Sequence, residues 1–203
     1  AMGLLHGTPD LGHVDAILTR AGGVPLYIEE LCRAGPQWPL ESSAIQHDDV
    51  AGPPHWLSRL IEKRVLGLSA AARDLLSRAA VVGRQVPQWL LFRLLGTVPV
   101  AALLSELAEA DLLFGDDEHE VFEFKHGITR EVVYGLVEFV PRTQLHAAIA
   151  QALARDGEAL PPAERIEALA YHYERAGQFA VAIDYAERAG DNARALSSLD
   201  RAR

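Results

Sequence analysis

Residues 99–125 read PVAALLSELAEADLLFGDDEHEVFEFK, and the spacing of the apolar residues changes within this stretch. Over 99–111, leucines at 103, 104 and 107 repeat at the spacing of one helix face. Over 112–125, two short apolar runs flank a turn of glycine and acidic residues. Alternating runs separated by such a turn are typical of a β-hairpin. The stretch therefore predicts a helix followed directly by a hairpin.

Three more helices are predicted before this stretch, over 56–67, 70–82 and 87–96. Ser69 is the predicted N-cap of the second, Gly83 ends it, and Gly96 ends the third. Several helices followed by a hairpin are typical of the winged-helix arrangement, a variant of helix-turn-helix. We therefore predict a winged-helix domain over 56–138.

The chain after the hairpin is predicted to be helical, over 127–138, 141–155, 162–176 and 178–193. The last two helices match the 34-residue tetratricopeptide (TPR) template at the small and aromatic offsets. The matching residues are Ile166, Leu169, Ala170, Tyr173, Gly177, Ala182, Ala186 and Ala189. An ordinary alanine-rich helical hairpin is the alternative. We predict that 139–203 starts a TPR-like array, which makes the fold mainly α: a winged-helix domain, with helices plus one β-hairpin, followed by TPR-like helical hairpins.

Two helices and a linker are predicted at the start of the chain. The helices cover 11–21 and 25–34, with Gly22-Gly23 ending the first and Pro25 beginning the second. Residues 36–55 contain four prolines and no hydrophobic period, which indicates a linker. Cys32 falls in the second helix and is expected to be a small core residue.

Composition excludes several classes of protein. The net charge is −9, which disfavours general binding to nucleic acid or to anionic membranes. Cys32 is the only cysteine, so neither an internal disulfide nor a multi-cysteine zinc site is possible. The sequence has no run of 18 apolar residues and no signal-peptide pattern, so we expect a cytoplasmic protein with no membrane partner.

The sequence also lacks the common catalytic motifs. There is no G-x-x-x-x-G-K-[ST] phosphate loop and no H-E-x-x-H zinc motif, and no nucleophile is paired with a base. We therefore predict a chain that is not an enzyme, has no catalytic residue and holds no metal. The elements that would read DNA, 99–125, carry eight acidic residues and one basic residue. Such a surface would repel phosphates, so nucleic acid is an unlikely partner.

An ordered series of motifs resembles the region after the ATPase core in STAND-type signalling ATPases. These are AAA-related enzymes found beside bacterial adenylate and guanylate cyclase domains and in large LuxR-type transcription regulators. The matches run from about residue 11 to 195 and comprise 20–31 (RAGGVPLYIEEL), 56–68, 79–84 (AAVVGR), 122–134 (FEFKHGITREVVY), 142–146 (RTQLH) and 170–173 (AYHY).

The resemblance implies a nucleotide-sensing role for three residues. Gly23 and Pro25 align with the G-x-P motif, whose proline packs near the adenine in the lid that follows the ATPase core. His126 occupies the place of the "MHD"-type histidine, which reaches the β-phosphate of ADP in related switches. Val24 and Gly127 depart from the family pattern. The resemblance thus implies that 1–35 is the end of the lid. It also implies that the parent protein binds ATP or ADP, and that this chain alone holds no cofactor.

The resulting hypothesis is a non-catalytic regulatory fragment of a signalling ATPase. It would sense nucleotide bound by an upstream NTPase domain of the same chain and relay that state to an effector domain. The TPR-like helices would bind a protein or small-molecule inducer. The parent could be an ATPase or an adenylate/guanylate cyclase. The alternatives are a DNA-binding winged-helix transcription regulator and a TPR-type adaptor for which nucleotide does not matter.

Overall fold

The computed structural model describes residues 11–35, 54–96, 100–116 and 120–201. Most of the predicted linker, the first ten residues of the predicted lid segment and the centre of the predicted hairpin turn lie outside these ranges. The described part is mainly helical, with ten α-helices and one small three-stranded sheet. The chain divides into two compact units between Gly67 and Leu68.

The first unit consists of three helices, α1 (Leu11–Ala21), α2 (Pro25–Ala34) and α3 (His55–Leu66). Helices α1 and α2 pack together through a small apolar cluster of Ile17, Ala21 and Leu31. Cys32 is half-buried against this cluster, as predicted for a small core residue. The predicted bounds of α1 and α2 are confirmed, because two glycines and a proline fix the intervening turn.

The second unit begins with α4 (Ala70–Val82) and contains the sheet. Strands β1 (Gln85–Pro87), β2 (Leu113–Asp116) and β3 (Val121–Phe124) lie in the order β1-β3-β2, and both pairings are antiparallel. The predicted hairpin is confirmed as β2 and β3. Strand β1 was not predicted, because three residues are too few to show a period and its partner lies far along the chain.

Two helices connect β1 to the hairpin, α5 (Gln88–Leu95) and α6 (Val100–Glu109). Within the described residues, no single helix is both long and apolar enough to cross a membrane. Helices α5 and α6 meet that test only as a pair, bent by 118°. Leu90, Leu91 and Leu107 on these helices are buried inside the protein.

Four helices follow the sheet, α7 (Gly127–Leu136), α8 (Phe139–Asp156), α9 (Pro162–Arg175) and α10 (Phe179–Arg201). Their shared core contains Val81, Leu90, Ile149, Leu153 and Leu169. Helices α9 and α10 form a hairpin around Gly177, whose φ is +74°, and the rings of Tyr173 and Tyr185 stack 5.7 Å apart. Helix α10 extends eight residues past its predicted end, because no helix-breaking residue follows position 193.

Candidate functional site

The predicted G-x-P motif forms the turn between α1 and α2. Gly22 and Gly23 have φ angles of +54° and +80°, a backbone conformation that favours glycine. The Val24 amide donates to the Ala21 carbonyl at 2.9 Å, and Pro25 then occupies the first turn of α2. Among the described residues, no atom lies within 4 Å of a Cβ built on either glycine.

A buried ion pair lies on the helix that this turn begins. Glu30 on α2 is 4% exposed, and its carboxylate accepts a hydrogen bond from Arg64 on α3 at 2.9 Å. The ring of Tyr27 meets the ring of Trp56 edge-on, with centroids 5.2 Å apart. These two contacts fix the direction of α2, and hence of Pro25 at its start, against α3.

His126 lies where β3 ends and α7 begins. It is the N-cap residue of α7, with extended backbone angles, and its carbonyl accepts from the amides of Thr129 and Arg130. The ring is half-buried and makes no capping hydrogen bond. Gly23 and Pro25 belong to the first unit and His126 to the second.

The structure contains a third polar site, which was not predicted from the sequence motifs. His146 on α8 and His172 on α9 are 1% and 3% exposed, and their Nδ1 atoms lie 2.8 Å apart. The Nε2 atom of His146 lies 3.1 Å from the hydroxyl of Tyr134 on α7. Tyr171 packs beside this pair, with its ring centroid 5.7 Å from that of His146.

The contact between the two histidines needs one proton. Their Nδ1 atoms lie within hydrogen-bond distance, so one Nδ1 carries a proton and donates while the other accepts. The Nε2 of His146 forms a second hydrogen bond, with the Tyr134 hydroxyl. No ring nitrogen of the pair is buried without a hydrogen-bond partner among the described residues. The network is therefore compatible with two neutral rings.

The environment strongly favours these neutral forms. Burial, followed by the charges of Arg175, Arg142 and Arg130, lowers the pKa of His146 to about 4. Burial, followed by His146 and Arg130, lowers the pKa of His172 to about 3. Burial also raises the pKa of Tyr134. The pair thus stays uncharged at neutral pH.

The helical periodicity of the sequence indicates that both histidines of this pair face the core. His146 lies three and seven residues before Ile149 and Leu153, and His172 lies three residues after Leu169, so both share a face with buried residues. Both histidines lie within helices that the sequence predicted, over 141–155 and 162–176. The structure places them at the interface of α7, α8 and α9.

The predicted DNA-reading elements keep their acidic character in the fold. On α6, Glu106 accepts hydrogen bonds from the amide and the hydroxyl of Ser69, and these bonds lower its pKa. The Ser69 hydroxyl accepts from the Ala72 amide, so Ser69 is confirmed as the N-cap of α4. Lys125, the one basic residue of 99–125, pairs with Asp111. Across the described ranges there is no group of three or more His, Cys, Asp or Glu side chains placed to hold a metal.

Comparison with known proteins identifies a similar protein of uncharacterized function. No family model matches the chain, and no solved structure matches it. An uncharacterized protein of Rhizobium meliloti (strain 1021) is 31% identical over 205 residues, which cover 96% of this chain. The match covers 19% of that protein, so the chain spans about a fifth of the length of the relative it matches.

Proposed function

We propose that this chain is the regulatory segment of a STAND-type signalling ATPase, comprising the end of the lid, a winged-helix domain and the start of a TPR-like array. The observation that carries the proposal is the order of its parts along the chain. A G-x-P turn, a helix-rich domain with a small sheet, a histidine at the end of the last strand and a helical hairpin follow one another.

The local geometry supports a nucleotide-sensing role at both predicted places. No described atom lies close to the Cα atoms of Gly22 and Gly23 on the side that a Cβ would occupy, and Pro25 starts a helix that a buried ion pair orients. His126 stands at the N-terminus of α7, where backbone amides and the helix dipole favour an anion such as a nucleotide phosphate. ATP or ADP would be held by the upstream NTPase domain, and these residues would distinguish the two.

The helical part supports the role of relay. The α9–α10 hairpin combines a tight turn, small residues and the stacked Tyr173–Tyr185 pair, as in a TPR unit. Helix α10 also exposes Phe179 and Ile183, which lie four residues apart on one face and are suited to contact a further repeat or an inducer. A lid that binds ADP and ATP differently would then shift the balance between closed and open arrangements. We expect the parent protein to be cytoplasmic.

The test is ADP retention by the full-length protein that contains this chain. In that protein, His126→Ala should raise the ADP dissociation rate by about tenfold, equivalent to about 1.4 kcal/mol of lost binding. Release of a fluorescent ADP analogue, measured by stopped flow, gives the rate. His55→Ala is the matched control, since His55 is exposed on α3. An ADP dissociation rate that His126→Ala leaves unchanged would remove the sensing role of His126.

A DNA-binding winged-helix regulator is the second candidate, because a three-stranded sheet follows a helix in the expected order. Its charge argues against it, since α6 carries Glu106 and Glu109 and no basic residue. Duplex binding at micromolar affinity or better that strengthens at low salt would favour this candidate over the first.

A further inference from the structure

Three arginines surround the tyrosines of the second unit. Arg130 on α7 and Arg142 on α8 lie over the ring of Tyr134, with guanidinium carbons 5.6 and 4.7 Å from its centroid. Arg175 on α9 lies 5.5 Å from the ring centroid of Tyr171. Both tyrosine rings pack against the ring of His146, with centroids 5.9 and 5.7 Å from its centroid, so the three guanidinium groups lie around one region. We call Arg130, Arg142 and Arg175 the arginine cluster.

The arginine cluster has no carboxylate partner in the described part of the chain. No Asp or Glu oxygen there lies within 4 Å of its nitrogens. Other arginines of the same chain do have such partners, for example Arg64, Arg78 and Arg93. The chain has 28 acidic and 19 basic residues, so acidic side chains are not scarce. Three neighbouring positive charges without an acid repel one another, which disfavours the arrangement unless an anion joins it.

The hydrogen bonds of the arginine cluster leave most of its donors for another partner. Arg130 donates from Nε to the Ala80 carbonyl at 3.0 Å, and Arg142 donates from Nη1 to the Tyr134 carbonyl at 3.3 Å. Each guanidinium has five N–H groups, so these contacts orient two of the side chains and use one N–H of each. Helix C-termini supply only partial negative charges of about half a unit. They do not neutralise three full positive charges.

We propose that Arg130, Arg142 and Arg175 bind a phosphate group, carried by a small soluble molecule, over Tyr134 and Tyr171. Guanidinium groups bind phosphate oxygens through paired N–H donors, and the aromatic rings beneath hold all three arginines in place. A phosphate dianion compensates most of the cluster's charge, whereas a single carboxylate would leave two charges uncompensated. The proposal uses none of Gly23, Pro25 and His126, so it stands apart from the proposed function.

Binding at this site has a second consequence that can be measured. The same three arginines contribute to the lowered pKa of His146, which lies behind the tyrosines. A phosphate bound to the arginine cluster would cancel part of their field, so the pKa of His146 should rise. Phosphate bound elsewhere on the chain would leave that pKa unchanged. The imidazole signals of His146 therefore report on this site.

The experiment is a titration of the chain with inorganic phosphate, followed by NMR of the histidine rings, against sodium chloride of equal ionic strength. We expect saturable shifts with a Kd on the order of 1 mM and an increase in the pKa of His146. Arg175→Gln should weaken binding by about tenfold, because Arg175 is exposed and its loss leaves no buried group unpaired. Arg194→Gln is the control, since Arg194 is an exposed arginine paired with Asp191 on α10.

A second variant and a second probe complete the test. Arg142→Lys keeps the charge but loses the planar fork, so binding should weaken less than in Arg175→Gln while remaining saturable. Tighter binding of phenyl phosphate than of inorganic phosphate would identify a phosphorylated ligand, and equal binding would identify free phosphate. Shifts that follow only ionic strength, or that Arg175→Gln leaves unchanged, would overturn the proposal.

Discussion

Each unit of this protein buries one polar pair between helices, and the two pairs use opposite chemistry. In the first unit, Glu30 and Arg64 form an ion pair at 2.9 Å. In the second, His146 and His172 form a neutral pair at 2.8 Å. Both pairs join residues that are well separated in sequence, by 34 and 26 positions.

The two pairs differ in how completely their hydrogen bonds are satisfied. The Nε and Nη2 atoms of Arg64 are buried without a hydrogen-bond partner among the described residues. In the histidine pair, no ring nitrogen is buried without a partner among the described residues, and Tyr134 bonds to His146. A partly satisfied charge is costly inside a protein, whereas a satisfied neutral network is well tolerated. Removing one partner should therefore lower the free energy of unfolding more in the first unit than in the second.

The largest effect is expected when the ion pair loses one partner. Glu30→Ala should lower the free energy of unfolding of the first unit by about 3 kcal/mol, because Arg64 is left mostly buried without a counter-charge. Urea unfolding followed by Trp56 fluorescence measures this, with Trp38 and Trp89 replaced by Phe in the reference protein. Trp56 reports on the first unit, since it packs against the α1–α2 cluster.

The double variant Glu30→Leu with Arg64→Met is the matched control. Replacing both members of a buried ion pair with apolar residues is often neutral or stabilising. Its stability should therefore lie close to that of the reference protein. If the double variant is as unstable as Glu30→Ala, the loss reflects packing and the contrast between the two pairs fails.

The second prediction concerns pH and separates the two units. The folded-state pKa values of His146 and His172, about 4 and about 3, lie below the value of 6.5 for a free histidine. The unfolded chain therefore binds more protons, and the stability that the pair contributes is fully present above pH 6.5. It should decline as the pH falls from 6.5 towards 4 and 3. Urea unfolding at several pH values, followed by Trp89 fluorescence, measures the decline in the second unit.

The control for this pH dependence is His172→Leu. This variant should be less stable at neutral pH by about 2 kcal/mol, because the buried Nδ1 of His146 loses its hydrogen-bond partner. Its stability should also depend less on pH, because one of the two perturbed histidines is gone. An unchanged slope between pH 6.5 and 4 would mean that other groups dominate acid unfolding.

The smallest effect is expected at the edge of the histidine network. Tyr134→Phe removes the hydroxyl that bonds to His146 and should cost about 1 kcal/mol, because a single neutral hydrogen bond is lost at a half-buried position. Trp89-detected unfolding measures it. Tyr185→Phe, on the far side of the stacked tyrosine pair, keeps its ring and should change stability less. A loss as large as that of Glu30→Ala would remove the distinction between the neutral and the charged pair.

Local signals in the sequence predicted much of the fold. Glycines at 22–23, 83 and 96 end helices where predicted, and Ser69 caps α4. Other boundaries differ by a few residues, as at α8, which begins at Phe139 rather than Pro141. A proline is tolerated in the first turn of a helix, so Pro141 could not mark the first residue by itself. Strand β1 exists only because β3 offers a partner from 36 residues further along the chain.

The candidate sites likewise divide into local motifs, which the sequence predicts, and buried networks, which depend on packing. The G-x-P turn and the helix-capping position of His126 are local features, and the sequence placed both. The histidine pair and the arginine cluster each draw on three helices, and no spacing along the chain links Tyr134, His146 and His172. A local motif depends on neighbouring residues, whereas a buried network depends on which helix faces pack together.

The sequence by itself thus determined the mainly helical character of this protein, the ends of its helices at glycine and proline, and its hairpin. These follow from backbone preferences and hydrophobic period, which act over a few residues. Only the tertiary structure decided that β1 pairs with β3, that Glu30 pairs with Arg64 and that His146 forms a hydrogen bond with His172. Burial and loss of water set these pairings, and both depend on packing between segments that are distant in sequence.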